Sequence, residues 1–430
     1  MNGLIRQSAV RWAREFALVR GSAHPLEPGR PGASGATSGT EVERDIDAFA
    51  RAVLGTLAEP GDGVLGRLIA SLGAARTAGL LIAGAPVEQL VSDTADAGEE
   101  ITTKAAADGI ARWAPRIDEQ AFVRGLAQAH RVGAMFLVPS DRDWPTGVDD
   151  LGVHAPIGLW VRGRPRTLAS GGRAVALVGA RAATGYGEHM TMEISAGLVE
   201  RGCTIVSGGA YGIDGMAHRA ALASDGTTVA FLAGGVDRFY PMGHDALLQR
   251  IVETGAVVSE LPCGASPTKW RFLQRNRLIA AASDATVVLE AGMRSGSLNT
   301  AGHAAALGRP LGALPGPATS PASAGCHRLM REYDAVCVVD ASQVLELAGG
   351  AVRLGDGETD GGLVVGSTAD EDHDTVRVLD ALSTRSPRHV GDLAQRSGLP
   401  AADVMAVLGP LELDGIVAWR GSGWIRRRRS

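Results

Sequence analysis

Residues 174–187 read Ala-Val-Ala-Leu-Val-Gly-Ala-Arg-Ala-Ala-Thr-Gly-Tyr-Gly. A short apolar run ends in a glycine-rich turn, and a helical stretch follows. A strand with one wet face alternates apolar and polar residues; this one does not, so both of its faces are covered. The same unit recurs downstream, with strands expected at Ala174–Gly179, Thr204–Ser207, Thr228–Leu232, Ala256–Glu260, Ala285–Glu290, Pro310–Ala313 and Val336–Val339. Such strands separated by helices build an α/β fold, here an extended Rossmann-like doubly wound parallel sheet.

Working outward, Phe136 and Leu159–Gly163 read as strands leading into this domain, which is placed at 133–345. Upstream, Ile46, Phe49, Val53 and Leu54, then Val64, Leu65, Leu68, Ile69 and Leu72, recur at helical spacing and define an N-terminal helical domain over 41–132. Residues 1–40 read as a flexible extension: the first 20 have the pattern of a short amphipathic helix, and Gly21–Thr40 is rich in Gly, Pro, Ser and Ala. A Gly-rich acidic linker over 346–370 leads to a C-terminal winged-helix domain at 371–430. There, helices are expected at Asp374–Ser383, Val390–Ser397 and Ala401–Asp414, followed by a hairpin over Val417–Ile425. Pro410 lacks a backbone donor and is expected to kink or break the third helix.

The 430 residues are 45% hydrophobic and 21% charged, enough to bury large cores without disulfides or metals. The net charge of −5 excludes a chain coated in basic residues but not a local basic groove. The only lysines are Lys104 and Lys269; arginine carries the remaining positive charge. Cys203, Cys263, Cys326 and Cys337 are scattered, with no metal-ligand spacing, which points to a reducing cytoplasm. No apolar run reaches a membrane span and no signal-peptide order is visible, so no membrane is expected.

Three loops at the strand ends offer small residues and helix N-termini to anions. The first, Gly179–Gly187, adds the guanidinium of Arg181, although a glycine turn alone also serves simply to change direction. The second contains Ser207, Gly208 and Gly209 where a dinucleotide enzyme carries a ribose-binding carboxylate, which argues against a nicotinamide cofactor. The third brings Arg294, Ser295, Gly296 and Ser297. Lys269-Trp270-Arg271-Phe272-Leu273-Gln274-Arg275-Asn276-Arg277 is the densest basic stretch in a folded region and is interleaved with aromatics. Its cations suit phosphates and Phe272 suits stacking on a base, while Trp270 reads equally as a ligand contact or as core. Asp214 and His218, four apart, read as a helix cap and loop brace in preference to an acid–base pair or metal ligands. In open α/β sheets ligands bind at the carboxyl ends of strands, so these loops converge, and a row of phosphate seats suits a polyanion.

In order along the chain, Val178-Gly179-Ala180-Arg181, Ser207 to Asp214 with Ala217-His218, Gly235-Val236-Asp237 with Tyr240-Pro241, Ser259-Glu260, Phe272 to Arg277, and Glu290-Ala291 with Ser295-Gly296-Ser297 resemble the signature blocks of the DNA-processing protein A (DprA) family. The resemblance covers about Ala134 to Pro317. It implies a non-enzymatic protein that binds single-stranded DNA, protects incoming strands and loads the RecA recombinase in natural transformation, as a homodimer and without cofactor or metal. The DNA-binding residues it implies, together with the loop glycines, are Arg181, Ser207, Gly208, Gly209, Lys269, Phe272, Arg275, Asn276, Arg277, Arg294, Ser295, Gly296 and Ser297. Gly209 and Leu273 depart from the family pattern, which usually has a larger apolar residue and a proline there.

Two other readings compete. A nucleotide phosphoribohydrolase of the lysine-decarboxylase-like group would use Glu290 at its strand end, but its proline-led double-glycine loop is absent. A winged-helix regulator needs a basic recognition helix, whereas Ala401–Asp414 has three carboxylates and no Lys or Arg. The winged helix therefore reads as a protein-interaction module, and Arg426–Arg429 as a solvated tail.

Overall fold

The computed structural model describes residues 16–17, 19–20, 39–169, 172–349, 373–421 and 423–427. Its centre is a nine-stranded sheet: β1 (Met135–Leu137), β2 (Leu159–Gly163), β3 (Ala174–Gly179), β4 (Thr204–Ser207), β5 (Thr228–Phe231), β6 (Ala256–Ser259), β7 (Ala285–Glu290), β8 (Leu311–Ala313) and β9 (Val336–Cys337). The spatial order is β1-β2-β6-β5-β4-β3-β7-β8-β9. From β6 to β9 every pairing is parallel, as the apolar runs predicted. The two leading strands join the same sheet antiparallel, β2 against β6 and β1 against β2, so the sheet is mixed at one edge.

Strand β3 shows why the run is continuous. Val175 and Leu177 pack with Ile194 and Leu198 on one face. Ala176 and Val178 pack with Leu278 and Ile279 on the other. Alternate residues point to opposite faces, and both faces are core. The first face is covered by α7 (Gly185–Glu200) and α8 (Ile213–Ala223), the second by α10 (Lys269–Ala281) and α11 (Ser297–Ala306), while α9 (Asp245–Thr254) packs on β2, β5 and β6 and α12 (Ala324–Glu332) on β7 and β8. Helix α13 (Ala341–Gly349) continues past the expected boundary at 345; residues 350–372, most of the expected linker, lie outside the described residues.

The N-terminal domain has six helices, α1 (Gly39–Leu57), α2 (Gly63–Leu72), α3 (Ala74–Ala83), α4 (Val87–Asp96), α5 (Thr103–Trp113) and α6 (Glu119–Arg131), the first five of which enclose Leu54, Leu65, Leu68, Leu90 and Trp113. Of the expected N-terminal extension, Phe16 and Val19 are buried in the main core and Arg20 forks onto Asp141 at 2.5 and 2.9 Å. No single described helix is long and apolar enough to cross a membrane.

The C-terminal unit follows the expected order: α14 (His373–Ala381), α15 (Val390–Ser397), α16 (Ala401–Leu413), then the hairpin β10 (Val417–Arg420) and β11 (Gly423–Arg426) around Val378, Leu393, Val404, Leu408 and Trp424. Of the expected kink or break at Pro410, a break does not occur: α16 runs through it. The proline lies in the last turns, where one missing amide costs little continuity, and Leu408 and Leu411 anchor both sides in the core.

Candidate nucleic-acid interface

The first loop is fastened by Thr184, whose hydroxyl accepts the Gly187 amide at 3.2 Å and caps α7. The same residue donates its amide to Glu290 Oε2 at 2.8 Å and its hydroxyl to Oε1 at 2.7 Å. A side chain at Gly187 would strike that carboxylate, so glycine here permits a close approach. Glu290, the residue a hydrolase would use, is buried and occupied in clamping the loop. The second loop nests on the first: Gly212, with φ of +74°, lies where a Cβ would meet the backbone of Ala180 and Arg181.

Helix α10 divides the basic stretch in two. Thr268 caps it by accepting the Arg271 amide at 3.2 Å. Its later residues turn inward. Arg275 is buried and donates to Gly208 O at 2.7 Å and to Phe231 O, tying the carboxyl ends of β4 and β5 together. Burial lowers its pKa to about 10, against the opposing pull of Asp214, and it remains charged at neutral pH. Arg277 is buried in an ion pair with Glu260 at 2.8 Å, and Asn276 reaches Gly296 O and Asn299 Oδ1 at 3.4 and 3.2 Å. Ser207, fully buried, donates to Leu177 O at 2.6 Å, and Ser297 is buried against Ser295 Oγ at 2.7 Å. These residues, with buried Gly208 and Gly209, form the scaffold under the edge of the sheet and present no side chain to its surface.

The start of α10 faces outward. Lys269 is exposed, and Phe272 is half-buried with the guanidinium of Arg181 at 5.1 Å and that of Arg275 at 5.7 Å from its ring centre. Tyr240, half exposed, meets the same ring at 5.7 Å. Arg181 and Arg294 are exposed on loops after the adjacent strands β3 and β7, with Ser295 and Gly296 beside Arg294. The structure thus sets the Phe272 ring beside two guanidiniums and Tyr240 at the carboxyl edge, with Lys269 and Arg294 exposed on neighbouring segments. Tyr240 and the half-exposed Tyr211 were not among the expected contacts; their signal was a lone tyrosine in each of two Gly/Pro-rich loops.

Asp214 and His218 do not act as a pair. The N-cap of α8 is Gly212, not Asp214. Asp214 braces the loop by accepting the Gly208 amide at 3.1 Å; burial raises its pKa, and Arg275 opposes the rise. His218 bonds Thr228 Oγ1 at 2.7 Å, and burial drives its pKa down to about 3, leaving a neutral ring. No metal-ligating cluster occurs among the described residues. Trp270 packs against the winged helix, 5.1 Å from the His373 ring and 5.5 Å from the Arg377 guanidinium, while the Lys269 amide donates to Asp380 at 2.6 Å.

Residues 135–349, the whole sheet domain with these loops, match the family described as DNA recombination-mediator protein A. The chain belongs to that family. Residues 366–423 match the DprA winged helix domain. A putative DNA processing protein DprA of Mycobacterium tuberculosis is 44% identical over 304 residues, which span 68% of this chain and 77% of that one. Protein Smf of Escherichia coli is 35% identical over 303 residues, spanning 68% and 78%. The crystal structure of DNA processing protein A from Streptococcus pneumoniae superposes with a TM-score of 0.56 at 27% identity, over 70% of this chain and 97% of that chain.

Proposed function

We propose that this DprA-family chain binds single-stranded DNA non-enzymatically across the carboxyl edge of its sheet, with one base on Phe272 and adjacent phosphates on Arg181, Lys269 and Arg294. The observation that carries this reading is the half-buried Phe272 ring with the Arg181 guanidinium 5.1 Å from its centre and the Tyr240 ring at 5.7 Å. Such a platform accepts any base, because every base has a π face, while the surrounding cations follow the backbone. Arg275, Arg277, Asn276, Ser207 and Ser297 then act by holding the loops in place. Relatives named as DNA processing proteins support a role in handling DNA strands. Protection of incoming strands, loading of RecA in transformation, a homodimer and a cytoplasmic location complete the proposal. The hydrolase reading is disfavoured because Glu290 is engaged by Thr184 through both oxygens. The test is a titration of the purified chain against an oligonucleotide, its duplex and a nucleoside monophosphate. Tight, salt-sensitive binding of the single strand alone is expected; turnover of the monophosphate without strand binding would replace this proposal with hydrolysis.

A further inference from the structure

Away from the sheet edge, a cavity of about 360 Å³ lies where three units meet: the α1–α2 loop with α2 and α5, the start of α10, and α14. Two carboxylates line it, and both are already taken. Glu59 accepts Arg271 at 2.8 and 3.0 Å and also Arg116. Burial alone would raise its pKa, but these two guanidiniums hold it well below the ordinary range. Asp62 caps α2 through the amides of Val64 and Leu65 and also accepts Arg112 at 3.2 Å and Trp113 Nε1 at 3.0 Å.

What is left over is positive and donor-rich. Arg67 lines the cavity; its backbone carbonyl accepts from Ser71 Oγ at 2.7 Å, but its guanidinium has no hydrogen-bond or carboxylate partner among the described residues. Trp270 Nε1 is buried without an acceptor, a state that native proteins rarely leave unfilled. Arg377 lies over the same indole and is anchored on Ser397 O and Gly398 O at 2.9 and 2.8 Å. The volume is at the small end of ligand pockets, roughly 300–1,000 Å³, and suits one nucleotide and not a length of strand.

We propose that this junction cavity is a second site, taking the phosphate of a single nucleotide on Arg67 and Trp270 Nε1. The nucleotide is either free or the phosphorylated end of a strand. A ligand seated there touches all three units and so stabilises their assembly by mass action. The inference does not depend on strand binding over Phe272.

The test uses the full chain, with dAMP and ATP as free probes and an oligonucleotide with or without a 5′-phosphate, followed by calorimetry and thermal melting. Expected are an Arg67-dependent rise in melting temperature with nucleotide and binding at least tenfold weaker in Arg67→Ala. Arg67→Lys should recover part of the loss, and Trp270→Phe, which keeps a ring but loses the donor, should bind several-fold more weakly. Arg67→Ala should leave binding of the unphosphorylated oligonucleotide unchanged, which separates this site from the strand surface. If only the phosphorylated oligonucleotide gains affinity through Arg67, the strand end is the source. Absence of binding, or binding indifferent to both Arg67 and Trp270, overturns the proposal.

Discussion

Replacing Arg181 with alanine removes one exposed cation and the guanidinium 5.1 Å from the Phe272 ring, while leaving Arg275 and the scaffold beneath untouched. Each phosphate contact on a single strand contributes about 0.7 to the slope of log K against log salt. Extrapolated from 1 M to 0.1 M salt, one contact is therefore worth about 0.7 of a decade, a factor of about 5 or about 1 kcal/mol. Loss of a cation over a ring that stacks on a base adds about 0.5–1 kcal/mol, bringing the expected weakening to about 1.5–2 kcal/mol, roughly 10- to 30-fold. The assay is fluorescence anisotropy with a labelled single-stranded oligonucleotide across a salt series, and both the affinity and the slope should fall. Lys269→Ala and Arg294→Ala should lower the slope alike, whereas Arg131→Ala, an exposed arginine on α6 outside the proposed contacts, should not. Unchanged affinity and slope in both Arg181→Ala and Lys269→Ala would refute the reasoning and move the strand to another surface.

The platform itself behaves differently: Phe272→Ala should cost about 1–3 kcal/mol of single-strand affinity, read by the same titration, with the salt slope intact because no charge is lost. Arg277→Ala leaves Glu260 buried and unpaired and should lower unfolding stability by about 3–5 kcal/mol in denaturant melts. Glu290→Gln keeps an oxygen for the Thr184 amide and should leave single-strand affinity within about twofold, measured by anisotropy. His218 has a folded pKa of about 3, below its ordinary 6.5, so the unfolded chain takes up the proton first as pH falls. Stability present above pH 6.5 should therefore be lost progressively toward pH 3, and pH-dependent melts of His218→Gln should show a shallower loss.

The strands of the sheet were legible because their signal is local: an apolar run such as Ala174–Gly179 is continuous only when both faces are buried. Their carboxyl-end loops were legible for the same reason, since glycines and hydroxyls mark the turns. The inward half of α10 was not. Arg275 and Arg277 look like surface cations by residue type, yet they are buried because Gly208 O, Phe231 O and Glu260, supplied by three other parts of the chain, meet them inside. Those partners are visible only after the strands are placed side by side. Likewise, the antiparallel placement of β2 against β6 depends on pairing across almost 100 residues, which no local pattern encodes. The contact between Trp270 and α14 joins two units on either side of the expected linker, and its only local trace was a tryptophan that suited two readings equally.

The central claim is that a single strand lies over Phe272 beside Arg181 and Tyr240. Photo-cross-linking with a bromodeoxyuridine-substituted oligonucleotide, followed by mapping of the modified peptides, tests it most directly. The account predicts adducts confined to the segments bearing Arg181, Tyr240 and Lys269–Phe272, suppressed in Phe272→Ala. Adducts concentrated on α16 of the winged helix or on the N-terminal helices would contradict it.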